Sequence, residues 1–83
     1  MAASREEVFE RVKEVLTEQL GVDEAEITEE ASFQEDLDAD SLDLVEAVLA
    51  LEEEFGVSIP EQEMEGVKTV GQAVNLVQSK LDG

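Results

Sequence analysis

The sequence predicts an all-α fold, a small four-helix bundle with three main helices, one short third helix and a long ordered first loop. Three segments carry apolar residues at helical spacing, and capping or stop residues bound them. No segment shows the sustained alternation of apolar and polar residues that is typical of a strand. The chain has 83 residues, 42% of them hydrophobic, so we expect residues 1–83 to form one domain around a modest core.

The first helix is predicted from a capping box at its start and a glycine after its end. Ser4 and Glu7 have the capping-box spacing, and Gly21 is a stop signal. The apolar stripe between them consists of Val8, Val12, Val15, Leu16 and Leu20. Residues 22–39 show no sustained period, although they contain the spaced apolar residues Ile27, Phe33 and Leu37. We therefore expect an ordered connection that is pinned to the core and contains one short turn of helix.

The second helix is predicted from about Ser41 to Phe55, with Asp40 as N-cap and Gly56 as its stop. Its apolar residues cover more than half of the circumference and are Leu42, Leu44, Val45, Val48, Leu49, Leu51 and Phe55. A single core-facing stripe needs fewer apolar residues than this helix has. Two interpretations remain open: either all these residues face the core, or some of them form an acid-rimmed docking surface.

The charges of the same helix are unfavourable for its stability. The helix contains no Lys or Arg, and Glu52, Glu53 and Glu54 lie at the negative end of its dipole. Each of these acids costs about 0.3–1 kcal/mol at low salt. A charge pattern that stability does not explain indicates a functional surface.

The end of the chain predicts one short helix and one long helix. Pro60 is a natural helix start, residues 61–65 form a short acidic turn, and Gly66 ends it. Thr69 and Gln72 have the spacing of a second capping box. The last amphipathic stripe consists of Val70, Ala73, Val74, Val77 and Leu81.

The chain is strongly acidic, with 23 Asp and Glu against 5 Lys and Arg and a formal net charge of -18. Such a field repels nucleic acid and anionic membranes and attracts basic protein surfaces. The alternative interpretation is that the charge only keeps the protein soluble. No apolar run approaches the ~18 residues that span a membrane. The first residues resemble neither a signal peptide nor a transit peptide, so we expect a cytoplasmic protein.

Several kinds of chemistry are excluded by residues that the chain lacks. It has no Cys and no His, and therefore no thiolate, no imidazole base and no disulfide. Asp36, Asp38 and Asp40 imitate the start of a calcium loop, but Ser41 stands where Gly is needed and Ala47 where Glu is needed. We expect no specific metal site and no enzyme activity. Ser41 itself is either a helix cap or an attachment point for a phosphate ester near free N–H groups.

Several motifs together resemble the acyl carrier protein family over nearly the whole chain. They are Asp40-Ser41-Leu42 within residues 35–46, Ala50-Leu51-Glu52-Glu53-Glu54-Phe55, Ile59-Pro60, Gln19-Leu20-Gly21-Val22, Ala31-Ser32-Phe33 and Thr69-Val70. Asp-Ser-Leu alone is a weak motif, but its order and spacing among the others are specific. One position departs from the family pattern: Asp38 stands where the family usually has Gly, which permits a positive φ.

The resemblance implies a monomeric carrier that is not an enzyme. Ser41 would bear covalent 4'-phosphopantetheine, which holds acyl groups as thioesters for the enzymes of dissociated (type II) fatty acid biosynthesis. Those enzymes and the phosphopantetheinyl transferase would present basic surfaces to the second helix. The expected recognition residues are Asp40, Leu42, Asp43, Val45, Glu46, Leu49, Glu52 and Glu53. The expected acyl-chain pocket consists of Phe33, Val45, Leu51, Phe55, Ile59 and Val67.

Two other functions compete with this interpretation. A carrier for polyketide or another specialised pathway would share every motif named above. An unmodified acidic protein that mimics nucleic acid or buffers cations would share the charge, but it would not need Ser41.

Overall fold

The computed structural model describes residues 4–82 and confirms the predicted all-α bundle. Its helices are α1 (Arg5–Leu20), α2 (Ser41–Phe55), α3 (Glu61–Met64) and α4 (Val70–Asp82), and a 3-10 turn (Glu24–Glu26) interrupts the first loop. No helix within residues 4–82 is long and apolar enough to cross a membrane. The long helices α1, α2 and α4 pack on one another, whereas α3 is a single turn beside them.

The helix ends follow the predicted capping and stop signals. The Glu7 N–H donates to Ser4 Oγ (3.2 Å), and Gly21 ends α1 with a φ of 67°. The Ser4–Glu7 pair is not a full capping box, since the Glu7 carboxylate accepts from the Ser4 hydroxyl (3.4 Å). At the start of α4 the box is reciprocal, because Gln72 N–H donates to Thr69 Oγ1 (3.3 Å) and Thr69 N–H donates to Gln72 Oε1 (3.1 Å).

A single core lies between the long helices and the first loop. Its buried side chains include Val8, Val12 and Leu16 of α1, Ala47, Val48 and Leu51 of α2, Val70, Val74 and Val77 of α4, and Ile27, Phe33 and Leu37 of the loop. The loop residues are almost fully buried, which confirms that spaced apolar side chains pin this connection to the bundle.

Backbone hydrogen bonds join the first loop to the connection between α3 and α4. Phe33 N–H donates to the Lys68 carbonyl (3.1 Å) and Val70 N–H donates to the Ala31 carbonyl (3.0 Å), on either side of an antiparallel bridge. The Gly71 N–H donates to the Glu29 carbonyl (2.8 Å), and a Cβ on Gly71 would lie only 2.9 Å from that oxygen. Glycine is therefore required at this close approach.

The segment before α2 is a tight, internally bonded turn. The Ser32 N–H donates to Asp36 Oδ2 (2.7 Å), and Ala39 N–H donates to the Phe33 carbonyl (2.7 Å). Asp38 lies in this turn with a φ of 53°, the one non-glycine residue with positive φ among those described. The positive φ inferred from the family's glycine at this position is thus confirmed, with Asp in place of Gly.

Asp38→Val is expected to destabilise the protein by about 1–2 kcal/mol, because a β-branched side chain fits the left-handed conformation poorly. Asp38→Gly should stay within about 1 kcal/mol of the parent, since relief of strain offsets the added freedom of the unfolded chain. Urea denaturation followed by far-UV circular dichroism measures both changes.

Glu35→Val is the matched control for this substitution. Glu35 is also exposed and acidic and lies in the same turn, but it is not among the residues with positive φ. Equal losses in Asp38→Val and Glu35→Val would show that the backbone conformation of Asp38 is not the cause.

Candidate functional site at the start of α2

Ser41 is the first residue of α2, and its side chain is exposed. The cap is Asp40, as predicted: Asp43 N–H donates to Asp40 Oδ1 (2.9 Å), and Asp40 N–H donates to Asp43 Oδ2 (3.3 Å). The interpretation of Ser41 as merely a helix cap is therefore wrong. Within residues 4–82 the Ser41 hydroxyl has no hydrogen-bond partner, so it is free to be modified.

The backbone around Ser41 favours a negatively charged substituent. The N–H groups in the first turn of a helix carry the positive end of its dipole and have no partners within the helix. The Asp40 carboxylate accepts only one of them, that of Asp43. A phosphate ester on Ser41 would thus lie beside donors that the α2 backbone leaves available.

A cleft of about 580 Å³ opens beside Ser41. Its walls come from the first loop, from α2, from α3 and from the residues that precede α4. The apolar lining consists of Phe33, Leu44, Val45, Met64 and Val67, and the polar lining consists of Ser32, Gln34, Glu35, Ser41, Glu61, Glu65 and Lys68. A cleft with both apolar and polar side chains in its lining can take an apolar chain together with its polar end.

The cleft contains half of the residues expected for an acyl-chain pocket. Phe33, Val45 and Val67 line it. The other three do not: Leu51 and Ile59 are buried in the core, and Phe55 is half-buried near the end of α2. Leu44 and Met64 also line the cleft, although neither is expected there from the sequence. Met64 is the one strongly apolar residue in an otherwise polar turn, a signal that it faces inward.

An apolar strip lies on the solvent side of α2. Leu42, Val45 and Leu49 are 66%, 38% and 49% exposed, whereas the buried side of the helix is formed by Ala47, Val48 and Leu51. The interpretation in which every apolar residue of this helix faces the core is therefore wrong. An exposed apolar strip of this kind is typical of a docking surface.

The four glutamates of α2 fall into two groups. Glu52 Oε1 accepts the Ile59 N–H (3.1 Å), and Glu54 forms an ion pair with Arg11 of α1. The expectation that the last turn is uncompensated is wrong for Glu52 and Glu54, because their partners lie outside α2. By contrast, the carboxylates of Glu46 and Glu53 are exposed and have no partner within residues 4–82.

The residues that imitate a calcium loop have structural roles instead. Asp36 accepts the Ser32 N–H, Asp40 caps α2, and Asp38 occupies the left-handed turn position. In the described part of the chain, no three acidic side chains converge into an arrangement that could hold a metal ion.

Sequence comparison shows which family this site belongs to. A family model described as "Phosphopantetheine attachment site" matches residues 10–77. The chain is 53% identical over 79 residues to the acyl carrier protein of Petrotoga mobilis, which covers 95% of this chain and 93% of that protein. The chain belongs to the acyl carrier protein family. The acyl carrier proteins of Rubrobacter xylanophilus (55% identical; 88% of this chain and 90% of the relative) and Thermotoga maritima (51%; 95% and 98%) agree.

Membership in the acyl carrier protein family determines the kind of function and the cofactor. The chain is a carrier and not an enzyme, and its cofactor is phosphopantetheine. The absence of Cys and His is consistent with this role, because the carrier needs no reactive side chain of its own beyond the attachment hydroxyl.

Proposed function

We propose that Ser41 carries 4'-phosphopantetheine as a phosphodiester, and that the chain delivers acyl groups to the enzymes of type II fatty acid biosynthesis. The observation that supports this site most directly is the exposed, unbonded hydroxyl of Ser41 at the first position of α2. Ser41 lies inside the matched range of the phosphopantetheine family. The neighbouring helix N-terminus and cleft fit an anionic linkage followed by an extended arm.

When bound, the cofactor supplies the thiol that holds acyl groups as thioesters, which the protein's own residues cannot supply. The residues of the chain have simpler tasks. Ser41 anchors the cofactor, Asp40 and Asp43 fix the start of the helix that presents it, and the cleft shelters apolar cargo.

We place the acyl-chain pocket in the cleft beside Ser41. Its apolar walls retain Phe33, Val45 and Val67 from the sequence-based expectation and add Leu44 and Met64. Burial of each methylene of a cargo chain is worth about 0.8 kcal/mol. A few methylenes therefore suffice to hold a chain out of water.

The proposal also covers the pathway that the protein serves, its location in the cell and its domain organisation. Three curated relatives named acyl carrier protein, each more than half identical to this chain, support a general fatty acid carrier over a specialised polyketide carrier. We propose that residues 1–83 form one acyl carrier domain, a cytoplasmic monomer. Its net charge of -18 makes nucleic acid an unsuitable partner and basic protein surfaces suitable ones.

The decisive experiment is an intact-mass spectrum of the folded, unmodified protein after incubation with coenzyme A, Mg²⁺ and a broad-specificity phosphopantetheinyl transferase. A mass gain of one phosphopantetheine supports the proposal. No gain in protein that circular dichroism shows to be helical would overturn it.

We propose that partner enzymes dock on the recognition face of α2, which comprises Asp40, Leu42, Asp43, Val45, Glu46, Leu49, Glu52 and Glu53. Its apolar centre is the exposed strip. Its exposed carboxylates without a partner within residues 4–82 are those of Glu46 and Glu53. The carboxylates of Asp40, Asp43 and Glu52 already accept backbone N–H groups, so we assign them smaller parts in recognition. A partner with apolar knobs and a rim of Lys or Arg would complement this face.

The double variant Leu42→Ala/Glu46→Lys is expected to lower the kcat/KM of the transferase by about tenfold or more, because it removes an apolar anchor and reverses a rim charge. The measurement is the initial rate of holo-protein formation at low and high salt. The contribution of Glu46→Lys should shrink at high salt, since screening weakens attraction between exposed charges.

Glu14→Lys on α1 is the matched control for charge. Glu14 is exposed and lies outside the recognition face, and its reversal changes the net charge by the same amount as Glu46→Lys. Equal rate losses in the two charge reversals would show that the overall field, rather than this face, governs recognition.

A further inference from the structure

Four of the five cations of this chain are engaged in ion pairs with its own carboxylates. Arg5 pairs with Glu29, Arg11 with Glu54, Lys80 with Glu63 (2.7 Å), and Lys13 with Glu10 (3.5 Å) and Glu24 (3.7 Å). Lys68 is different: within residues 4–82 its ammonium group forms no ion pair. In a chain with 23 acidic residues, an unpaired cation is unexpected on grounds of charge alone.

Lys68 lies where its charge can meet a ligand of the cleft. Lys68 lines the same cleft as Ser41. Three acidic residues also line that cleft, namely Glu35, Glu61 and Glu65, yet none of them pairs with Lys68 in the described chain. The ammonium group therefore remains available to a ligand in this cleft.

The backbone of Lys68 is held from both sides. Its N–H donates to Gln72 Oε1 (2.6 Å), and its carbonyl accepts the Phe33 N–H (3.1 Å). These bonds tie Lys68 to the start of α4 and to the first loop, while the side chain stays exposed. The backbone of this lysine is fixed, whereas its flexible four-carbon stem lets the ammonium group adjust its position to a ligand.

We propose that Lys68 binds the phosphodiester that links phosphopantetheine to Ser41 and thereby positions the arm over the cleft; this inference rests on the proposed function of Ser41. The phosphodiester adds a permanent negative charge beside Asp40 and Asp43, where the chain is already strongly acidic. Lys68 is the cation of the cleft lining, and its ammonium donors can meet the phosphate oxygens without breaking an existing ion pair.

The proposal is tested on the loaded protein, after intact mass has shown that wild type and each variant carry one phosphopantetheine. In Lys68→Gln, the change in melting temperature on loading should be less favourable than in wild type by about 1–5 °C, the size expected for one exposed ion pair. The ³¹P resonance of the phosphodiester should move in Lys68→Gln and return toward the wild-type position in Lys68→Arg. Lys13→Gln removes the same charge from α1 and should leave both readouts at their wild-type values.

Identical ³¹P resonances and loading effects in wild type, Lys68→Gln and Lys13→Gln would overturn the inference. A second measurement needs no variant: on loading of isotope-labelled wild type, the Lys68 Cε–Hε resonances should shift and those of Lys80 should not. Unchanged Lys68 resonances would also overturn it. Failure of wild type to gain mass is a separate result, which defeats the Ser41 proposal and this inference with it.

Discussion

Replacing Ser41 by alanine is expected to abolish the phosphopantetheine mass gain completely while the protein stays folded. The reaction needs an acceptor hydroxyl at this place in α2, and alanine has none. The hydroxyl of Ser41 makes no hydrogen bond within residues 4–82, and the capping of α2 belongs to Asp40. Stability should therefore change by no more than about 0.5 kcal/mol. Intact mass after transferase treatment and thermal denaturation measure the two effects on the same sample.

Ser58→Ala is the matched control for this variant. Ser58 is also an exposed serine, but it lies in the connection between α2 and α3. It should load as completely as wild type. A mass gain that persists in Ser41→Ala would place the attachment on another hydroxyl. Loading lost equally in both variants would point to a general defect in transferase recognition.

Local sequence signals predicted the helices accurately, because their causes lie within a few residues of one another. The stop at Gly21, the cap at Asp40 and the box formed by Thr69 and Gln72 all depend on short-range backbone and side-chain geometry. The positive φ of Asp38 has a different source, because it is expected only from the family resemblance, which has Gly at this position, and the structure confirms it. The same local signals place Ser41 at the start of α2, whereas its role as the attachment point is what the family resemblance implies.

Longer-range features could not be read from periodicity. The pairing of the loop with the segment before α4 depends on two pieces of chain far apart in sequence, joined at Phe33 and Lys68. The residues that pair this way also line the cleft, so periodicity alone does not indicate that Leu44 and Met64 line it too. Leu51 and Ile59, which the family resemblance implies as pocket residues, lie in the core and not along the cleft, and only tertiary packing distinguishes these two positions.

The roles of the acidic residues in α2 also depend on tertiary contacts. From the sequence, the three glutamates of its last turn looked equally unfavourable. In the structure, Glu54 is paired with Arg11 and Glu52 accepts a backbone N–H, so the exposed Glu53 differs from its neighbours. Only tertiary contacts separate acids that stabilise the fold from acids that are free to meet a partner.

Phe33→Ala is expected to cost about 3–5 kcal/mol of folding stability, the largest loss we predict for any single substitution. Phe33 is 1% exposed, is among the largest fully buried side chains and also lines the cleft. Its backbone N–H donates to the Lys68 carbonyl, and its carbonyl accepts the Ala39 N–H within the turn before α2. A cavity at this position would loosen the loop, the cleft and the start of α2 together. In a domain of 83 residues such a loss approaches the whole stability.

The measurement is urea denaturation followed by far-UV circular dichroism, since the chain has no Trp or Tyr for fluorescence. Phe9→Ala makes the same chemical change on α1, where the ring is only half-buried, and should cost clearly less. Phe33→Leu largely preserves the packed volume and should lose about 1.5 kcal/mol or less, which keeps the comparison measurable if the alanine variant does not fold. A Phe33→Ala loss no greater than that of Phe9→Ala would show that the loop is not held to the bundle through this side chain. The cleft beside Ser41 would then need another source of rigidity.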